Sequence, residues 1–209
     1  TPRERSLIMH TFADRLQSYI LQLSNLESKD TGATVRRSLL ECFLADSTPR
    51  DLSYYADTMF PWREDIPVTG TLNSGRSYLV REPVGVCVGI TPWNFAMTMA
   101  IWKICHALVM GNTVVIKPAS STPLTALFLG KIIKESGIPD GVVNIITGPG
   151  AGIGETLCKS PYVDKISFTG STEVGKQIIE MGSSTVKKVT VELGGKSANI
   201  ILPDADFDL

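Results

Sequence analysis

An excess of charge of either sign is missing from these 209 residues: Lys and Arg number 20, Asp and Glu 21, for a formal net charge of −1. So balanced a chain has no electrostatic footprint for a polyanion, which argues against nucleic acid and anionic membranes as partners. Histidine is scarce, with only His10 and His106. The four cysteines, Cys42, Cys87, Cys105 and Cys158, are scattered and form no CxxC pair, so no metal site is expected. Dispersed single thiols fit a reducing compartment, the cytoplasm, better than a disulfide framework, and each reads first as a small buried hydrophobe. Long apolar runs are missing too. The nearest, Ile101 to Ile116, is interrupted by Lys103, His106, Gly111 and Asn112, which excludes a membrane-spanning helix there. The opening Thr1-Pro2-Arg3-Glu4-Arg5 has neither an initiator Met nor an apolar leader core. The missing Met suggests a piece of something longer, or its removal by processing.

What is present is ordinary globular usage, 43% hydrophobic and 20% charged, enough for one well-buried domain or two small ones. Residues 1–61 read as a helical lead-in. Ile8, Phe12, Leu16, Tyr19, Leu23 and Leu26 recur at three- and four-residue steps, the stripe of one long amphipathic helix. Gly32 breaks it. Val35, Leu39, Leu40 and Phe43 form a second stripe ended by Pro49; Leu52, Tyr55, Ala56 and Met59 form a third ended by Pro61. Residues 71–83 alternate around Tyr78 and Val80, as an extended arm would.

From residue 84 to 209 strands and helices alternate. Strands are expected over Val84–Ile90, Thr113–Ile116, Val142–Ile146, Val163–Phe168, Val186–Val191 and Ala198–Leu202. Helices are expected over Thr122–Ser136, Glu155–Lys159 and Ser171–Met181, the last closed by Gly182. Such βαβ units imply an α/β fold, a Rossmann-like open parallel sheet with helices on both faces. Ligands of these sheets sit at the carboxyl ends of the strands, where the strand order reverses.

The usual dinucleotide fingerprint, G-x-G-x-x-G, is lacking as well. Gly148-Pro149-Gly150-Ala151-Gly152-Ile153-Gly154 is glycine-dense but wrongly spaced, and reads equally as a nucleotide-approaching turn or a plain loop. Phe168-Thr169-Gly170-Ser171-Thr172-Glu173-Val174-Gly175 ends a strand and opens a helix, with Ser171 a natural N-cap. A pyrophosphate would be stabilised at that helix end, although an ordinary capped junction has the same form. Lys117 stands at a strand's carboxyl end, able to donate to ribose or phosphate oxygens, or simply to face solvent. Asn94, in Thr91-Pro92-Trp93-Asn94-Phe95, could donate to an oxyanion or cap a turn. Glu192, beside Leu193-Gly194-Gly195, could serve as a general base or be a solvated carboxylate.

Taken together, Pro92-Trp93-Asn94-Phe95, Lys117-Pro118-Ala119, Phe168 through Gly175 and Glu192-Leu193-Gly194-Gly195-Lys196 resemble the aldehyde dehydrogenase superfamily, in that family's order. Glu82-Pro83-Val84-Gly85-Val86 and Pro139-Asp140-Gly141-Val142-Val143-Asn144 resemble it too. The resemblance implies NAD(P)-dependent oxidation of an aldehyde to a carboxylic acid, with NAD or NADP as cofactor and the chain as its NAD(P)-binding domain. It implies that Asn94 donates to the oxyanion and that Glu192 activates the hydrolytic water. It implies that Lys117 contacts the adenosine ribose and that Gly170 and Gly175 form the G-x-x-x-x-G cofactor turn, with Ser171 at the pyrophosphate. Thr91, Pro92 and Trp93 would border the nicotinamide; Gly150, Gly154, Leu193 and Gly194 complete the cofactor set. The family's nucleophilic cysteine lies further past Lys196 than this sequence extends, so the catalytic domain is expected outside it and the chain is expected to be inactive alone.

Two positions depart from the pattern. The family often has Pro after Asn-Phe, where this chain has Ala96. Many NAD-preferring members carry Glu three residues past the lysine, where this chain has Ser120, which leaves room for NADP. The segment Tyr78–Arg81 resembles an arm of the family's oligomerisation hairpin, implying a homodimer or homotetramer of the full-length enzyme. A stand-alone nucleotide-binding domain without catalysis is the alternative reading.

Overall fold

The computed structural model describes residues 1–66, 76–195 and 197–206. Helix α1 (Pro2–Ser18) starts at a capping box: Thr1 Oγ1 accepts the Glu4 N–H (3.3 Å), and Glu4 takes the amino terminus at 2.6 Å. The expected single long helix is two. Tyr19 separates α1 from α2 (Ile20–Thr31), and Gly32 ends α2 in the left-handed region at φ 75°.

Helix α3 (Val35–Tyr54) corrects two expectations. Pro49 lies buried inside it rather than ending it, because packing against α1, α2 and α4 holds the helix through the lost hydrogen bond. The expected stripe is also rotated: Val35, Leu40 and Phe43 are exposed, and the buried face is Ser38, Glu41, Cys42, Ala45 and Ser53. A wide-turned segment, Tyr55–Met59, extends α3, with only Ala56 of its five residues buried.

Strand β1 (Arg63–Ile66), which the sequence pattern does not announce, pairs antiparallel with β2 (Ser77–Val80), and all eight residues are exposed. Residues 71–75 of the expected arm lie outside the described residues.

The main sheet is parallel throughout, in the order β5-β4-β3-β6-β7. Its strands are β3 (Val86–Ile90), β4 (Thr113–Lys117), β5 (Val143–Ile145), β6 (Lys165–Gly170) and β7 (Lys188–Leu193). The chain runs outward from β3 through β4 to β5, then crosses back to β6, so the strand order reverses between β3 and β6. Helices α4 (Ala96–Val109) and α5 (Leu124–Glu135) cover one face with Met97, Ile101, Ile104, Leu129 and Ile132, over Cys87, Val114 and Ile116. On the other face α6 (Glu155–Lys159) and α7 (Thr172–Ser183) bury Cys158 and Ile178 against Val88, Ile166 and Phe168.

Three expectations about the last third need correction. Val186 is not in a strand; it sits at φ 53° in a turn, 90% exposed, and β7 begins two residues later. Gly182 lies within α7, where a Cβ would come 3.0 Å from Val189 Cγ2, so it permits close packing of helix on strand rather than a stop. Ala198–Leu202 forms no strand. Ile200, Ile201 and Leu202 are exposed, and β7 is the last described strand at that end of the sheet.

Candidate active site at the carboxyl edge of the sheet

The carboxyl ends of β3, β4 and β6 meet where the strand order reverses, with Ile90 paired to both Lys117 and Phe168. Thr91 continues β3 by donating its N–H to the Lys117 carbonyl (3.2 Å). Its hydroxyl is buried and has no hydrogen-bond partner among the described residues.

Lys117 is 4% exposed, and burial lowers its pKa. It shares a sheet face with Val115, which belongs to the α6/α7 core. Its stem runs beneath the wide turn Gly150–Gly154, where a Cβ on Gly154 would lie 3.8 Å from Lys117 Cε. Its ammonium donates to the Pro118 carbonyl at 3.2 Å. Ser120 closes the neighbouring turn, its hydroxyl donating to Gly148 O at 2.8 Å. The two glycine-dense or basic segments that looked separate in sequence therefore form one rim, with Gly150 exposed on it.

Gly170 ends β6, and Ser171 caps α7 by accepting the Val174 N–H at 3.4 Å. Gly175 is buried where α7 crosses β7, and a Cβ there would collide with Leu193 Cδ2. A larger residue would push the helix end, with its free amides, away from the sheet edge. Leu193 thereby has a packing role, and Gly194 follows it exposed.

Glu192 lies inside β7, one residue short of its end, paired with Thr169. It faces the opposite side of the sheet from Lys117, into a trough of about 600 Å³ bordered by α4 and floored by β3, β6 and β7. Its β6 and β7 side is polar: Lys165, Ser167, Thr169 and Thr190 accompany Glu192. One group here is legible in the sequence only as a charge in an apolar helix. Lys103, on α4, donates to Ser167 Oγ (3.0 Å) and Thr169 Oγ1 (3.1 Å). Burial, with Lys165 adding repulsion, lowers its pKa to about 8. Gly89 makes this possible, since a Cβ would sit 3.0 Å from Lys103 Cδ and block the side chain's path over β3.

Asn94 and Trp93 are exposed on the loop between β3 and α4, with Pro92 half-buried. Met99 and Trp102, one turn on, border the trough. None of the cysteines is offered as a nucleophile. All four are buried, and burial raises each thiol's pKa, that of Cys42 to about 12.

The family model for the aldehyde dehydrogenase family matches residues 1–209. The chain belongs to the aldehyde dehydrogenase family. Within that family it is 44% identical to retinaldehyde dehydrogenase 3 of Homo sapiens, over 98% of this chain and 40% of the relative. Among solved structures, betaine aldehyde dehydrogenase from Staphylococcus aureus in complex with NAD+ superposes with a TM-score of 0.91 at 36% identity, covering 100% of this chain and 40% of that one. An E. coli NADP dependent enzyme superposes at 0.88 with 35% identity, over 93% and 40%. The chain thus spans about two fifths of the length of the family members it matches. Among its described residues no helix is long and apolar enough to cross a membrane.

Proposed function

We propose that this chain is the dinucleotide-binding part of an enzyme that oxidises an aldehyde to a carboxylic acid with NAD+ or NADP+. The observation that carries the reading is the junction of β3, β4 and β6, where buried Lys117, orphaned Thr91 Oγ1 and the capped start of α7 meet at the reversal of strand order. The fit is chemical as well as topological. A buried ammonium without an ion pair among the described residues suits ribose hydroxyls or phosphate. The rim formed by Ser120, Gly150 and Gly154 leaves backbone open beside it.

When bound, the nucleotide accepts the hydride. Lys117 binds the adenosine ribose, and Gly170, Ser171 and the first-turn amides of α7, set by Gly175, face the pyrophosphate. Thr91, Pro92 and Trp93 border the nicotinamide, with Leu193 and Gly194 across the edge. Asn94 donates its side-chain amide to the developing oxyanion, and Glu192 takes a proton from the hydrolytic water. Lys117 and Glu192 lie on opposite faces of the sheet, which suits a ligand draped over the edge with its adenosine end at one and its reacting end toward the other. Ser120 presents no carboxylate to a 2′-phosphate, so both nucleotides are admitted.

The trough beside Met99 and Trp102 is bordered by apolar side chains that suit an aldehyde's carbon skeleton. The exposed β1–β2 hairpin suits a homodimer or homotetramer of the whole enzyme. The four unpaired thiols suit the cytoplasm. The test is a calorimetric titration of the chain with NAD+ and, separately, NADP+. Saturable binding of either is expected; a cooperatively folded chain that takes up neither rejects the reading.

A further inference from the structure

We infer that Arg37, in the helical lead-in, is a positioning residue that holds the Asn94 loop in place; this rests on the oxyanion role proposed for Asn94. The loop between β3 and α4 has little to fix it from within. Phe95, at the amino end of α4, makes no side-chain cap, and Asn94 and Trp93 are exposed. Ala96 opens the helix, where Pro would have set φ by its ring. The restraint comes from 57 residues earlier in the chain. Arg37 Nη2 donates to the Asn94 carbonyl at 2.7 Å, and its guanidinium carbon lies 4.5 Å over the Phe95 ring.

Arg37 is itself held. Its Nε donates to Glu41 Oε1 at 2.7 Å, and the Glu41 side chain is 6% exposed, so one prong of the planar fork is fixed while the other reaches the loop. Two residues past Phe95, the Met97 N–H donates to the buried Glu27 carboxylate at 3.2 Å, which anchors the start of α4 from α2. The loop is therefore gripped at its crest by α3 and at its exit by α2. A backbone carbonyl held in this way fixes the Cα of Asn94, and with it the origin of the side-chain amide. A guanidinium binding a carboxylate with one nitrogen, a carbonyl with another and a ring with its face uses all the properties that separate arginine from lysine.

The test is nitrogen-15 relaxation of the Asn94 backbone and side-chain amides in the whole chain, for the unsubstituted protein, Arg37→Ala and Arg37→Lys. Thermal melts and NAD+ titrations accompany each. In Arg37→Ala the Asn94 order parameter is expected to fall from about 0.85 to below about 0.6. NAD+ affinity is expected to stay within about twofold and the melting temperature within a few degrees. Arg37→Lys recovers part of the order, since an ammonium reaches the carbonyl but cannot also hold Glu41. An Asn94 as rigid in Arg37→Ala as in the unsubstituted chain overturns the inference. So does a loss of order spread evenly through α3 and α4, which is mere destabilisation. Failure of the unsubstituted chain to bind NAD+ or NADP+ strikes the nucleotide reading alone and leaves these amide measurements as they are.

Discussion

Lys103 Nζ donates to Thr169 Oγ1 at 3.1 Å, so an ammonium carried by α4 rests on the face of β6, beside the strand that holds Glu192. Hydroxyls stabilise a buried cation less than a carboxylate would, and the lowered pKa of about 8 records that cost. In the folded chain the charged form is disfavoured relative to the unfolded one. The cost is fully present below pH 8 and disappears as the unfolded lysine loses its proton near its ordinary value of 10.5. Lys103→Met keeps the stem over Gly89 and removes the ammonium. It is expected to raise stability at pH 7 by about 1–2 kcal/mol, roughly 3–6 °C in melting temperature. That gain should vanish above about pH 10.5. A melt that stays the same or falls at pH 7 would show that the two hydroxyls fully compensate the burial.

Glu27 poses the opposite case. Its carboxylate accepts from the Met97 N–H and, at 2.7 Å, from the Thr125 hydroxyl, joining α2 to α4 and α5. Burial raises its pKa, outweighing those two bonds, and Glu41 and Asp30 add to the rise. A carboxyl whose folded pKa is raised contributes stability below its ordinary value, and that stability is lost as pH climbs through the folded value. Glu27→Ala leaves Met97 N–H and the Thr125 hydroxyl buried without partners and opens a void, a loss of about 2–4 kcal/mol. Glu27→Gln, which keeps an acceptor, costs less and flattens the fall of stability with pH above the ordinary carboxylate range. Urea melts across pH 4–8 compare the two directly.

How far the sequence reaches is clearest at these two residues. The parallel sheet, its strand-helix alternation and the capped turn at Gly170 and Ser171 are all readable from local pattern, because period, turn chemistry and capping are local properties. The face of α3 is not. Val35, Leu40 and Phe43 form a convincing apolar stripe that ends up exposed, while Ser38, Glu41 and Cys42 face the core. Which face is buried depends on α1, α2 and α4, and Glu27 and Arg37 act on residues 70 and 57 positions away. Likewise Lys103 interrupts an apolar run in the sequence, and only the pairing of β3 with β6 brings Ser167 and Thr169 beneath it. Long-range polar partners leave no periodic trace.

Lys117 offers a sharper test of the proposed cofactor site than any glycine, because it can be changed without disturbing the backbone. Lys117→Met preserves the stem beneath Gly154. Loss of a charged donor is expected to weaken NAD+ binding by about 10–100-fold. The melting temperature should hold or rise, since burial already disfavours the ammonium. Ser120→Glu places a carboxylate on the same rim. It should weaken NADP+ by at least about tenfold through repulsion of the 2′-phosphate and leave NAD+ unchanged or tighter. Equal effects on both nucleotides would mean that Ser120 stands away from the adenosine ribose.

The thiols decide whether this chain can do chemistry by itself. A nucleophile of the expected kind must be a thiolate at neutral pH, reachable by the aldehyde. Cys42 is 2% exposed with its pKa pushed up to about 12, desolvation being the main cause and Glu27 and Glu41 adding to it. Cys105 is wholly buried and shifted upward by burial alone. Cys87, at the wall of the trough, is 7% exposed, and its shift is also upward despite Lys165 nearby. Cys158 faces the core from α6, and burial again raises its pKa. The folded chain should therefore resist iodoacetamide at pH 7, with all four thiols labelled only after denaturation. It should form no NADH or NADPH from any aldehyde, even when saturated with nucleotide. Rapid labelling of Cys87 in the folded chain, together with aldehyde-dependent absorbance at 340 nm, would falsify this, and would make the trough wall itself the seat of the covalent step.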